Sequence, residues 1–376
     1  MKKLLLTLLI TFLYGSIAHS QTVSTITDGT PDDAIALDSN GNIYTANFTG
    51  DTVFKITQGG DVTPFVTGLN TPNGLAFDSN DNLYVCDFSG QTIFKYDISG
   101  APLASFPITG NPSGLIKSFD SDDVIYTNYP QNTINRLAVD GTITVVSSAP
   151  GINGPVGLAY DENGVLYVGN YADRDIYRVL ANGDVEFIAT LPTDGGALPN
   201  LGFIAYGRGM LWGTTMGSDK IYSINPNAVQ DITLFAGSSA GGMNGDISQA
   251  TFRTPNGILF NSAEDTMYVT DFGSKNLRII SDWSLGSEDF EFNEDKFQLY
   301  PNPSDGILEV SLALNEASEY NVSIYNLMGQ VLYSSEEYSE NATISKTLDV
   351  EFLDSGVYFV KVSSEGNEMS KRFIKR

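Results

Sequence analysis

Short runs of alternating apolar and polar residues follow one another along most of this chain, and they repeat. One block opens each repeat: Asp33-Ala34-Ile35-Ala36-Leu37-Asp38, Asn73-Gly74-Leu75-Ala76-Phe77-Asp78, Ser113-Gly114-Leu115-Ile116, Val156-Gly157-Leu158-Ala159-Tyr160-Asp161, Gly202-Phe203-Ile204-Ala205-Tyr206 and Asn256-Gly257-Ile258-Leu259-Phe260. A proline lies one to three residues ahead of every copy. A second block follows each: Tyr44-Thr45-Ala46-Asn47, Tyr84-Val85-Cys86-Asp87, Tyr126-Thr127-Asn128, Tyr167-Val168-Gly169-Asn170, Trp212-Gly213-Thr214-Thr215 and Tyr268-Val269-Thr270-Asp271. A period of roughly 40 residues with strand-like alternation predicts radially repeated four-stranded sheets. The six copies predict an all-β, six-bladed β-propeller over residues 21–286.

Turns rich in Asp, Asn and Gly join the two blocks, as in Asp38-Ser39-Asn40-Gly41-Asn42 and Asp78-Ser79-Asn80-Asp81-Asn82. Such residues tolerate the left-handed conformations that tight hairpins need. The sixth repeat lacks a fourth strand after Ile279-Ile280, whereas Thr22-Val23-Ser24-Thr25-Ile26-Thr27 is a spare strand at the other end. The expectation is that it closes the ring and hides an open sheet edge.

Antiparallel pairing places strand-one starts and strand-two ends on one face. The predicted ligand-binding rim is therefore Asn47, Asn73, Asp87, Asn128, Asn170, Asn256 and Asp271. Asp33 and Ser113 belong to the same face. Phe48, Phe88, Tyr129, Tyr171 and Phe272 come directly after the strand-two ends. Alternation along a strand turns them away from the Asn and Asp side chains, which predicts packing between blades.

Composition narrows the chemistry. Lys2-Lys3, the apolar run to Ile17 and Ala18-His19-Ser20 have the layout of a secretory signal peptide over residues 1–20. Cleavage there would remove His19, the one histidine in the sequence. Ser-His-Asp triads, Cys-His pairs and His-based metal sites are then excluded. No later run is long enough for a transmembrane segment. The net charge of −25 argues against nucleic acid as a partner.

Composition shifts after Trp283. Ser287 to Lys296 predicts an acidic linker over 287–296, and alternating runs beyond it predict a small Ig-like β-sandwich over 297–376. Four motifs occur there in order: Tyr300-Pro301-Asn302-Pro303-Ser304-Asp305-Gly306, Tyr325-Asn326-Leu327-Met328-Gly329-Gln330, Gly356-Val357-Tyr358-Phe359-Val360-Lys361-Val362 and Lys371-Arg372-Phe373-Ile374-Lys375-Arg376. This piece resembles the type A C-terminal sorting domain of the type IX secretion system of Bacteroidetes. The resemblance implies the secretion machinery as a partner, and a secreted or cell-surface protein.

The Pro-Asn-Gly and Leu-Tyr-Val-x-Asp motifs resemble those of NHL-repeat proteins and of the gluconolactonase-like (senescence marker protein) superfamily. In the lactonase branch a divalent metal sits in the channel, held by a Glu, Asn residues and an Asp. That resemblance implies Asp33, Asn73 and Asn256 as ligands of Ca2+ or Mg2+, with Asp33, Asp87 and Asp271 as catalytic candidates. The family's N-terminal Glu has no counterpart, because the first Glu here is Glu162. Two functions stand side by side at this point. One is a module binding an extracellular carbohydrate, peptide, small molecule or surface polymer; the other is a metal-dependent lactone hydrolase.

Overall fold

The structure is a computed structural model that describes residues 21–28, 30–193, 200–281, 283, 297–313, 319–326, 330–339, 343–364 and 367–376. The leader over 1–20 and the linker over 287–296 lie outside the described residues. The chain divides into two compact units, one over Ser20–Trp283 and one containing Ser284–Arg376.

The first unit is a six-bladed propeller. Five blades are four-stranded antiparallel sheets in sequence order, as in Pro72–Phe77, Leu83–Asp87, Thr92–Tyr96 and Pro102–Pro107. In the sixth, Pro255–Phe260, Met267–Asp271 and Asn276–Ser281 are completed by the N-terminal strand Thr22–Asp28. Val23 pairs with Ile280 and Ser24 with Ile279, and Val23 is 2% exposed. The first and last strands of the propeller unit thus share one sheet, as the spare strand predicted.

The recurring Asn-Gly dipeptide has a packing cause. A Cβ on Gly74 would lie 2.1 Å from the Ser113 carbonyl oxygen, and one on Gly257 would lie 2.3 Å from that of Asp33. Only a bare Cα lets neighbouring innermost strands approach so closely. Threonines then tie blade to blade: Thr270 Oγ1 accepts from the Gly257 N–H at 2.8 Å and donates to the Asp33 carbonyl at 2.6 Å.

The Asp-Asn-Gly turns gather on the opposite face. Asp78 accepts from the N–H groups of Asn80 and Asn82 and pairs with Lys95 at 2.9 Å. Burial would raise its pKa, but the Asn82 amide, Lys95 and these N–H groups hold the carboxyl below its ordinary value. Turns are also stapled to the next blade. Asp81 accepts from the Ser39 N–H at 3.0 Å and from its hydroxyl at 2.5 Å, while sitting at a left-handed φ of 57°. Asp81→Gly should cost only the staple, whereas Asp81→Ala should lose about 1 kcal/mol more, because alanine is strained at this φ. Paired thermal melts check this; equal melting temperatures for the two variants would contradict it.

The second unit is a β-sandwich. A sheet of Gln298–Tyr300, Ile307–Ala313 and Thr343–Asp349 faces one of Val331–Tyr338, Glu319–Tyr325, Gly356–Ser364 and Asn367–Lys375. Leu308, Val310, Val322, Ile324, Val360 and Phe373 fill the space between them. It is the Ig-like element anticipated from the motifs.

Candidate functional site

In five blades the pairing of the first two strands slips by a β-bulge at the start of the innermost strand. In the second blade Pro72 pairs with Asp87, but Leu75 already pairs with Val85. A bulge re-aims the side chain it carries. Here it aims Asn73, Ser113, Val156, Phe203 and Asn256 into a cavity of about 670 Å³ at one mouth of the channel, where Asp33 joins them.

Hydrogen bonds order these polar groups across blades. Asn256 Nδ2 donates to Asp33 Oδ1 at 2.8 Å, and Asn73 Nδ2 donates to Ser113 Oγ at 3.2 Å. Asn73 Oδ1 is buried and has no hydrogen-bond partner among the described residues. Burial, with the neighbouring Asp32 carboxylate, pushes the Asp33 carboxyl well above the usual range; the Asn256 amide and the Ala34 N–H oppose this only in part.

Above them stands a belt of aromatic rings. Phe48 and Phe88 are 5.8 Å apart between centroids, Phe88 and Tyr129 6.1 Å, and Tyr129 and Tyr171 6.0 Å. All four line the cavity, as do Phe272 and Met216. Each ring is placed by its own backbone N–H, which bonds the neighbouring loop: Phe88 to the Thr71 carbonyl at 2.9 Å, Phe272 to that of Thr254 at 3.0 Å. Strand alternation predicted these rings between blades; they do pack ring on ring from blade to blade, and they face the cavity as well.

The strand-two ends have the complementary role. Asp87 accepts from the Asn70 N–H at 2.9 Å, Asn128 from Asn111 at 3.1 Å, Asn170 from Asn153 at 3.0 Å and Asp271 from Arg253 at 2.7 Å. Asn47 accepts from the Thr49 hydroxyl. These five stand on the predicted face but do not line the cavity. The oxygens of Asp87, Asn128, Asn170 and Asp271 hold the loop that enters the innermost strand of their own blade, where an unmade hydrogen bond would be costly, whereas Asn47 holds the turn that follows it. Of the predicted rim, Asn73 and Asn256 reach the cavity. Sequence reasoning missed Asn200, Asp219, Arg253 and Thr254, which also line it.

The same placement bears on a divalent ion. The orphaned Asn73 oxygen is a suitable ligand. However, Asp33 is already bonded by an amide N–H and driven toward its neutral form, while Asp87 and Asp271 are engaged in loops. Among the described residues no group of three or more His, Cys, Asp or Glu side chains converges. Of the predicted carboxylates Asp33 alone lines the cavity, and Asp219, the other carboxylate there, accepts the Thr254 N–H at 2.7 Å, so the predicted two-carboxylate centre is not assembled and no catalytic step is derived through one.

Comparison with known proteins agrees with this architecture. Residues 298–376 match the secretion system C-terminal sorting domain, and residues 69–96 match the NHL repeat. An auxiliary nutrient binding protein from Bacteroides ovatus superposes with a TM-score of 0.59 at 15% identity, over 70% of this chain and 76% of that one. A gluconolactonase from Xanthomonas campestris gives 0.54 at 17% identity, over 69% and 89%. Virginiamycin B lyase from Staphylococcus aureus gives 0.51 at 18% identity, over 66% and 79%. Identities this low speak to fold alone. No helix among the described residues is long and apolar enough to cross a membrane. The chain is a six-bladed propeller that bears an NHL repeat and shares its fold with the gluconolactonase and the virginiamycin B lyase, joined to a type IX secretion sorting domain that directs its export to the cell surface or the extracellular space.

Proposed function

We propose that the exported propeller is a binding module that takes a small extracellular saccharide at the aromatic mouth of its channel. The observation that carries this reading is the continuous run Phe48, Phe88, Tyr129 and Tyr171 around one side of a cavity that also presents the Asn73, Ser113 and Asn256 side chains. Half-buried rings offer flat apolar faces to the C–H faces of a sugar, and the amides and hydroxyl offer hydrogen bonds to its hydroxyls. The cavity is in the size range that encloses a small organic ligand. The nutrient-binding description of one relative of the same fold supports the reading.

A soluble glycan array, followed by calorimetry on the hits, tests it. The double variant Phe88→Ala/Tyr129→Ala should weaken the best glycan by roughly 30-fold or more, as losing central aromatic anchors does. An undiminished affinity would move the site elsewhere. Chelator-sensitive turnover on a panel of lactones, with no glycan bound, would favour the hydrolase instead.

A further inference from the structure

Arg253 is the one cationic side chain among the residues lining the cavity. It is exposed, and its guanidinium has no partner among the described residues; only its backbone is engaged, by Asp271 and by the Gly273 N–H. Nearby cations are occupied. Lys275 sits on Asp32 at 2.6 Å, and Arg278 is buried against Thr251, Met243 and Asn244. In a chain with 45 acidic and 20 basic residues, Arg253 is the cation that a ligand in this cavity would meet, with Asp33 and Asp219 the carboxylates that line it.

The segment that presents Arg253 is firmly held. Asp271 accepts its N–H at 2.7 Å, and Asp219 accepts that of Thr254 at 2.7 Å. Thr254 stands at a φ of 58°, which a β-branched residue rarely adopts. The arginine stem lies along Gly273, where a Cβ would come within 2.5 Å of Arg253 Cγ. Thr71 and Gly154 make the same left-handed turn before Pro72 and Pro155, so the turn belongs to the repeat, and in the sixth blade it fixes where Arg253 is presented.

We infer that the cavity takes a short saccharide ending in a uronic acid, with the Arg253 fork on the sugar carboxylate and the aromatic belt on its ring faces. This rests on the saccharide-binding role proposed above. A planar guanidinium matches a carboxylate through two parallel N–H···O bonds. The net charge of −25 repels a long polyanion, so the favoured ligand is short and presents one carboxylate at close range.

Calorimetry on the full secreted chain, with trigalacturonate, its neutral galactose counterpart and an acidic tripeptide, tests this. Wild type should prefer trigalacturonate to the neutral sugar by about tenfold or more, the scale of one charge-assisted hydrogen bond. Arg253→Ala should erase that preference and keep the melting temperature. Arg253→Lys should restore only part of it, and added salt should narrow it. Equal binding of acidic and neutral sugars, or a preference that survives Arg253→Ala, overturns the uronate while leaving saccharide binding intact. Tighter binding of the tripeptide overturns it too. Failure of every sugar to bind overturns the saccharide reading itself, and the uronate with it.

Discussion

A chain that begins after Asp28 is expected to lose cooperative unfolding and to aggregate, although it keeps every innermost strand. Strand Thr22–Asp28 is the outer partner of Asn276–Ser281, and without it a row of N–H and C=O groups in the sixth blade is unpaired. Such an edge recruits other chains. The buried Val23 side chain leaves as well, and filling its place is worth roughly 1.5–3 kcal/mol. The short strand Gly245–Asp246, which pairs with Thr22 and Val23, loses its anchor too. Together these remove a large part of the roughly 5–15 kcal/mol by which a domain of ordinary stability is folded. Size-exclusion chromatography and thermal melts of the truncated propeller check this. Adding a peptide of residues 21–28 in trans should restore part of the monomer. A monodisperse truncated chain with an unchanged melt would show that the ring does not depend on its N-terminal strand.

The wheel itself was legible because its cause is periodic. The Pro-Asn-Gly copies, the Asp-Asn-Gly turns and the missing sixth outer strand are all features of residue type at fixed spacing. The direction of the site's side chains was not legible in the same way. Strict alternation treats Asp87 and Phe88 as opposite-facing, and they are; what alternation lacks is which of the two meets the channel. That choice is made by the bulge at Asn73-Gly74 and by the loop before it, because Asp87 must bond the Asn70 N–H. Arg253 was hidden for a related reason. It occupies the place in the sixth repeat that Asn70 has in the second, two residues before the proline, so its signal was an alignment of loops and not of strands. Asn73 and Asn256 were found because they sit inside the repeated block itself.

The Arg278→Met variant is expected to lose about 3–5 kcal/mol, since it leaves a buried carboxylate and several carbonyls without their donor. Arg278 is fully buried. Its guanidinium donates to the Thr251 carbonyl at 2.9 Å, the Met243 carbonyl at 3.0 Å and Asn244 Oδ1 at 2.9 Å, lies over Phe252, and stands 3.5 Å from Asp271. It therefore pins the loop that carries Gly245–Asp246 to the sixth blade, and so bears on ring closure as well as on the Asp271 that holds Arg253. Burial pushes the Asp271 carboxyl up to about 6, because Ser274, the Arg253 N–H and the Arg278 guanidinium offset desolvation only in part. A carboxyl raised in the folded state binds its proton more tightly there than when unfolded. Its contribution is full below about pH 4 and is lost as pH rises through 6, a range worth about 3 kcal/mol. Carboxylates held low, such as Asp38 and Asp78, act in the opposite sense at lower pH. Wild type should therefore lose stability between pH 4.5 and 7 relative to Asp271→Asn, which keeps an acceptor for Arg253 but cannot ionise. Without the Arg278 charge Asp271 holds its proton to still higher pH, so Arg278→Met should carry that loss toward neutrality. Parallel pH profiles for wild type and Asp271→Asn would show that the buried pair does not titrate with folding, and the clamp would then act through its hydrogen bonds alone.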